Sequence, residues 1–142
     1  MPTGSCGCGT VRYEVTEPFN EMHNCHCELC RKTHGAAFAT FAQTSTSGFR
    51  LLQGSDRLQA FGSSSHGSRY FCTACGSHVY FQTTLLPDRT WVTAGTLDGD
   101  PGIRPRAESF VTAQAAWHTI GGGLPRFAEY PPFGEDMPAA VG

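Results

Sequence analysis

The chain has 142 residues, of which 39% are hydrophobic and 15% charged, with 17 glycines and 9 prolines. That balance suits one domain with a modest core, and it favours short strands and turns over long charged helices. Net charge is −2 and Lys32 is the only lysine, which argues against a polybasic face for nucleic acid or a membrane surface.

The first residues lack the basic start and apolar stretch of a signal peptide, and no apolar run approaches a membrane span. A cytoplasmic protein is expected. Val11, Tyr13 and Val15 alternate with Arg12 and Glu14 in the period of a half-buried strand. A second strand is predicted to run into Cys25. Residues 25–34 are too polar and too rich in cysteine for a strand, and read as a metal-binding turn with room for a short helical start. Ala36–Gln43 reads as a strand around Phe38 and Phe41, and 44–48 as a loop. Phe49–Gln53 and Leu58–Phe61 are short strand candidates, with a Ser/Gly loop over 62–67. Tyr70 and Phe71 lead into the Cys72 turn and His78–Gln82 leads out, which makes a hairpin. Trp91–Ala94, Ala107–Val111 and Trp117–Ile120 are the last strand candidates, with a turn over 98–102. The class is mainly β, with at most one or two short helices. A single domain over 1–130 and a Pro/Gly/Ala-rich tail over 131–142 are expected.

All seven cysteines lie in three tight groups. Cys6 and Cys8 form C-x-C, Cys25, Cys27 and Cys30 form C-x-C-x-x-C, and Cys72 and Cys75 form C-x-x-C before Gly76. Thiols spaced by one or two residues converge on a point, as a soft tetrahedral cation requires. An odd count cannot pair completely within one chain, and without an export signal metal ligation outweighs disulfides. The spacing divides as four plus three. Cys6, Cys8, Cys72 and Cys75 fit a closed, structural site, worth several kcal/mol of stability given structural zinc affinities of roughly 10–16 kcal/mol. Cys25, Cys27 and Cys30 leave one corner for a histidine, water or an incoming thiol.

His23, His26 and His34 lie close enough in sequence to compete for that corner. His26, between two ligands, is expected to point away. His34 fits a ligand, a supporting partner or a surface residue. Arg31 and Lys32 fit either a contact to substrate carboxylates or an ordinary solvated face. An iron–sulfur cluster is disfavoured by the lack of a proline-terminated fourth cysteine. A thioredoxin-like role for Cys72 and Cys75 is disfavoured by the lack of a βαβ pattern.

Gly4-Ser5-Cys6-Gly7-Cys8-Gly9 before Val11-Arg12-Tyr13, Cys25-His26-Cys27 before Cys30-Arg31-Lys32, and Phe71-Cys72 before Cys75-Gly76-Ser77 form one pattern. It resembles the glutathione-dependent formaldehyde-activating enzyme family, grouped with the centromere protein V proteins. Gly35 to Phe38, Gly95 to Asp98, Ala116-Trp117 and Leu124 to Phe127 add to the likeness, which covers about Gly4 to Tyr130.

The resemblance implies a β-tent, a set of small antiparallel sheets stapled by zinc. It implies two zinc ions, one structural on Cys6, Cys8, Cys72 and Cys75 and one catalytic on Cys25, Cys27 and Cys30. The implied activity is carbon–sulfur lyase chemistry on the adduct of formaldehyde with glutathione or another small thiol. In relatives a histidine often follows the proline near the Arg104-Pro105 region, where this chain reads Arg106-Ala107-Glu108-Ser109. A non-catalytic binding module with both ions structural is the alternative. The implied partner is a small thiol, with no nucleic acid and no membrane, and no oligomeric state is specified.

Overall fold

Short alternating runs broken by Gly, Pro and Ser give a mainly β chain. The computed structural model describes Met1–Pro131, so the tail expected over 131–142 lies, but for Pro131, outside the described residues. The strands are β1 (Thr3–Ser5), β2 (Arg12–Val15), β3 (Glu21–Cys25), β4 (Ala39–Ser45), β5 (Phe49–Gln53), β6 (Leu58–Gly62), β7 (Gly67–Cys72), β8 (His78–Thr83), β9 (Arg89–Thr93) and β10 (Glu108–Ser109). One α-helix is present among the described residues, α1 (Glu28–His34). No helix there is long and apolar enough to cross a membrane.

Two compact units can be distinguished. The first comprises Met1–Asn20 and Ala42–Gly102. In it β2 is flanked by β1 and β5, both antiparallel to it. A second antiparallel run orders β6, β7, β8 and β9 side by side. The alternation read in the sequence is obeyed in β2, where Tyr13 and Val15 are buried and Arg12 and Glu14 are half-buried. Val11, Tyr13, Val15, Val79, Tyr80 and Val92 form the core together with Cys6 and Cys72. Tyr80 anchors it, stacked on Tyr70 at 4.4 Å and tilted against Phe49 at 4.6 Å. Two cysteines of the four-cysteine group therefore sit in the same apolar cluster as the valines.

The second unit comprises Glu21–Phe41 and the described residues from Ile103 onward. Its centre is β3, buried at every position although Glu21, His23 and Asn24 are polar. Such groups need partners. β10 pairs with β3 in parallel, setting Glu108 opposite Asn24 and Ser109 opposite Cys25, so not every pairing is antiparallel.

Three segments differ most from the sequence reading. The strand expected over 36–43 begins at Ala39 instead. α1 ends on Gly35 in the left-handed conformation (φ 59°), and the next residues serve to leave the helix. The strand expected over 107–111 narrows to two residues because Phe110 takes φ 55°, which strand geometry cannot accommodate. Trp117–Ile120 forms no strand: Ala116 and Trp117 lie in a turn closed by His118 N–H donating to the Ala115 carbonyl at 3.1 Å, residues 118–120 carry no regular structure, and Trp117 is 74% exposed.

Candidate metal centres

The four-cysteine group is assembled by two turns. In the first, Gly9 N–H donates to the Cys6 carbonyl at 3.1 Å, with Gly9 at φ 79°. In the second, Gly76 N–H donates to the Cys72 carbonyl at 2.7 Å, with Gly76 at φ 80°. A glycine after the second thiol takes this left-handed geometry without strain. Gly7 N–H donates to Ser77 Oγ at 2.8 Å and joins the turns.

The four Sγ atoms lie within 4.8 Å of one another. Cys6 Sγ is 3.6 Å from Cys8 Sγ, and Cys8 Sγ is 4.0 Å from Cys72 Sγ. A tetrahedral ion with sulfur at ~2.3 Å requires sulfur atoms ~3.8 Å apart. These two separations bracket that value, so the cluster is of a size that could hold a zinc-like ion.

The local electrostatics favour the thiolate at Cys75 and Cys8 and oppose it at Cys72. Ser77, through its hydroxyl and then its backbone N–H, holds the Cys75 thiol down to about 5, from an ordinary 9.0. Cys8 is lowered by hydrogen bonds from Thr10. Burial pushes Cys72 up to about 11, so that thiol keeps its proton at neutral pH unless a cation displaces it. Val11 N–H donates to Cys6 Sγ at 3.2 Å, as amides do around metal-bound sulfur.

The second group belongs to the other unit. Cys25 ends β3 and Cys27 caps α1, its Sγ accepting from Cys30 N–H at 3.2 Å. Cys30 lies one turn into the helix and is 2% exposed. The strand end, the cap and the first turn bring the three Sγ atoms within 4.8 Å. The Cys25 thiol is held above its ordinary value by its hydrogen bond to Cys27 and then by burial. Among the described residues no His, Asp, Glu or fourth Cys joins this cluster at that range. Three soft donors so close together are consistent with zinc. Both clusters could hold metal ions.

The neighbouring candidates fall as follows. His23 Nδ1 contacts the Glu21 carboxylate at 3.0 Å, and both residues are buried. His26 is fully buried, with Nε2 2.9 Å from Glu108 Oε2, and is not among the three gathered ligand atoms. His34 lies edge-on to Phe41 at 5.9 Å. Arg31 Nε–H donates to the Ala113 carbonyl at 3.1 Å. Lys32 pairs with Glu28 at 3.0 Å on an open face, both side chains about two-thirds exposed (70% and 68%).

Sequence reasoning missed the supports of the triplet. Glu108 takes Asn24 Nδ2–H on one carboxylate oxygen at 3.0 Å and His26 on the other. Thr40 Oγ1–H donates to Asn24 Oδ1 at 2.7 Å. The one available signal was a run of polar residues beside the cysteines, which does not name partners so distant in the chain.

The profile of the family described as "Glutathione-dependent formaldehyde-activating enzyme" matches residues 1–113. The chain belongs to that family. A Halomonas elongata protein provisionally named a glutathione-dependent formaldehyde-activating enzyme is 29% identical over 103 residues, 68% of this chain and 66% of the relative. The match thus spans just under two-thirds of that relative's length. A Rhodobacter sphaeroides protein known from a crystal structure shares 28% identity and a TM-score of 0.59, over 73% of this chain and 92% of the other. All seven cysteines of this family member fall inside the matched 1–113 region.

Proposed function

We propose that this protein joins glutathione, or a related small thiol, to formaldehyde or another small carbonyl, making and breaking a carbon–sulfur bond at Cys25, Cys27 and Cys30. Family membership supports the substrate pair. The observation that carries the reading is the gathering of three thiols within 4.8 Å, a group that no fourth His, Cys, Asp or Glu among the described residues joins at that range. On this reading the protein holds two zinc ions, with the four-cysteine group structural. Zinc at the triplet would supply ionisation of a substrate thiol near neutral pH and hold it in place.

The chain's own residues do the rest. Cys25 and Cys30 are buried and Cys27 is half-buried, so approach is from the Cys27 side. The Cys30 amide fixes the Cys27 sulfur at the head of α1. In the forward direction the thiol loses its proton to solvent and its sulfur attacks the carbonyl carbon. The carbonyl π bond opens and its oxygen takes up a proton, so atoms and charge balance without an oxidant. Lys32, on an open helix face, offers a contact for a substrate carboxylate.

Carbon-13 NMR of labelled formaldehyde with glutathione tests the reading. Faster appearance of the hydroxymethyl thioether with protein than without is expected. No acceleration removes this substrate pair. X-ray absorption of the zinc protein separates the alternative: a fourth protein ligand at both ions supports a non-catalytic binding module.

A further inference from the structure

The triplet's first ligand is held by a residue outside the cysteine pattern. Asn24 and His26 are the immediate neighbours of Cys25, and one buried carboxylate grips both: Glu108 Oε1 accepts from Asn24 Nδ2–H at 3.0 Å, and Glu108 Oε2 lies 2.9 Å from His26 Nε2. All three side chains are buried.

The backbone repeats the grip. Asn24 N–H donates to the Ala107 carbonyl at 3.0 Å, and His26 N–H donates to the Ser109 carbonyl at 2.9 Å. Ser109 Oγ–H donates to the Asn24 carbonyl at 3.3 Å. Glu108 is itself fixed, its N–H donating to the Pro125 carbonyl at 2.9 Å and its carbonyl accepting from Phe127 N–H at 2.8 Å. Thr40 closes the chain at the far end through Asn24 Oδ1.

We infer that Glu108 is a positioning residue for the triplet: it straddles Cys25, fixes the main chain on both sides of that sulfur, and thereby sets the triplet's geometry for a metal ion. The inference rests on the reading of Cys25, Cys27 and Cys30 as a metal site. Its physical basis is rigidity. The main chain at a strand end can swing its cysteine away from the cluster, and one carboxylate held by the side chains on both sides of Cys25 restricts that movement. A group hydrogen-bonded directly to a metal ligand commonly contributes about 10- to 100-fold in metal affinity, and Glu108, which acts through the residues on either side of the ligand, is expected at the lower end of that range. Asn24 and Glu108 are 84 residues apart, so the grip exists only in the folded chain.

The test uses the full-length protein and the isostere Glu108→Gln, which leaves one oxygen acceptor and puts an NH2 donor in place of the other. Zinc affinity at each site is measured by competition with a chromophoric chelator, and triplet geometry by the thiolate-to-metal absorption of the cobalt(II)-loaded protein. Expected are a loss of about 10-fold at the triplet site, an altered cobalt spectrum, and unchanged affinity at the four-cysteine site. With glutathione and formaldehyde as substrates, kcat falls while KM for glutathione holds. Thr40→Val, which removes only the outer hydrogen bond, is expected to move the same readouts in the same direction by less; it decides the matter if Glu108→Gln does not fold. Unchanged triplet affinity and spectrum in folded variants overturn the role of Glu108 but leave the metal site standing. Equal losses at both sites also overturn it, since they indicate general destabilisation. A wild-type protein with no tight metal at the triplet overturns both readings.

Discussion

Cys8 Sγ lies 4.0 Å from Cys72 Sγ although 64 residues separate them in the chain. Two local turns, each too small to hold an ion alone, meet there, with Cys6 and Cys72 embedded in the valine–tyrosine core. A metal bound there would cross-link the first strands to the β7–β8 hairpin, whereas one held by the triplet would cross-link residues only a few positions apart. The two clusters should therefore respond differently to the same chemical loss.

Cys75→Ala is expected to lower stability by several kcal/mol, since metal binding at a structural site is linked to folding. Cys27→Ser should retain the fold and lose the activity. Serine preserves the cap of α1 that the Cys27 sulfur provides, so a helix penalty of about 1 kcal/mol is avoided. Thermal melts beside the NMR assay check this. Equal unfolding of both variants would contradict the division of labour.

Lys32→Ala should change stability by no more than about 0.5 kcal/mol, because the Lys32–Glu28 pair is exposed and screened. If Lys32 meets a substrate carboxylate, KM for glutathione should rise several-fold with kcat unchanged. Arg31→Ala serves as the contrast: it removes the hydrogen bond to the Ala113 carbonyl and is expected to cost about 1 kcal/mol. Steady-state kinetics over a range of glutathione concentrations, paired with urea melts, separates the two effects.

Alkaline pH should unfold the protein cooperatively. Burial pushes the Tyr80 hydroxyl up to about 12 from an ordinary 10.0, and raises Tyr13, buried and 2.7 Å from Thr96 Oγ1, in the same direction. Folding therefore favours the neutral phenols. That contribution is complete below pH 10, where both states are protonated, and shrinks as pH rises towards 12, because only the unfolded chain ionises. Absorbance at 295 nm should show these two tyrosines titrating together with the loss of near-ultraviolet circular dichroism. Smooth titration of all four tyrosines in a protein still folded would count against their burial.

Gly4→Ala is expected to destabilise by about 1–3 kcal/mol. Gly4 is paired opposite Tyr13 in the β1–β2 ladder, and a methyl there would run into the Tyr13 ring and the Thr96 carbonyl. Gly95→Ala is the control, since a Cβ there meets open space. Chemical denaturation of the two variants should separate them clearly.

Much of this protein was legible in one dimension. The period-2 run at Val11, Tyr13 and Val15, the strand over 49–53, and the hairpin around Cys72 and Cys75 appear where their patterns put them. The partition of cysteines into four and three was equally plain, because chelation by C-x-C and C-x-x-C turns is set by a few successive dihedrals. Segments whose fate depends on distant partners were harder. Trp117–Ile120 has the composition of a strand and forms none, and 107–111 keeps only two strand residues because Phe110 turns left-handed.

The sequence by itself determined the cysteine clusters and the β character, since both follow from neighbours a few residues apart. Which side chains hold those clusters in shape was decided only in three dimensions. Glu108 meets Asn24 and His26 because β10 docks in parallel on β3 in one register, and a shift of one residue would send that carboxylate to the opposite face.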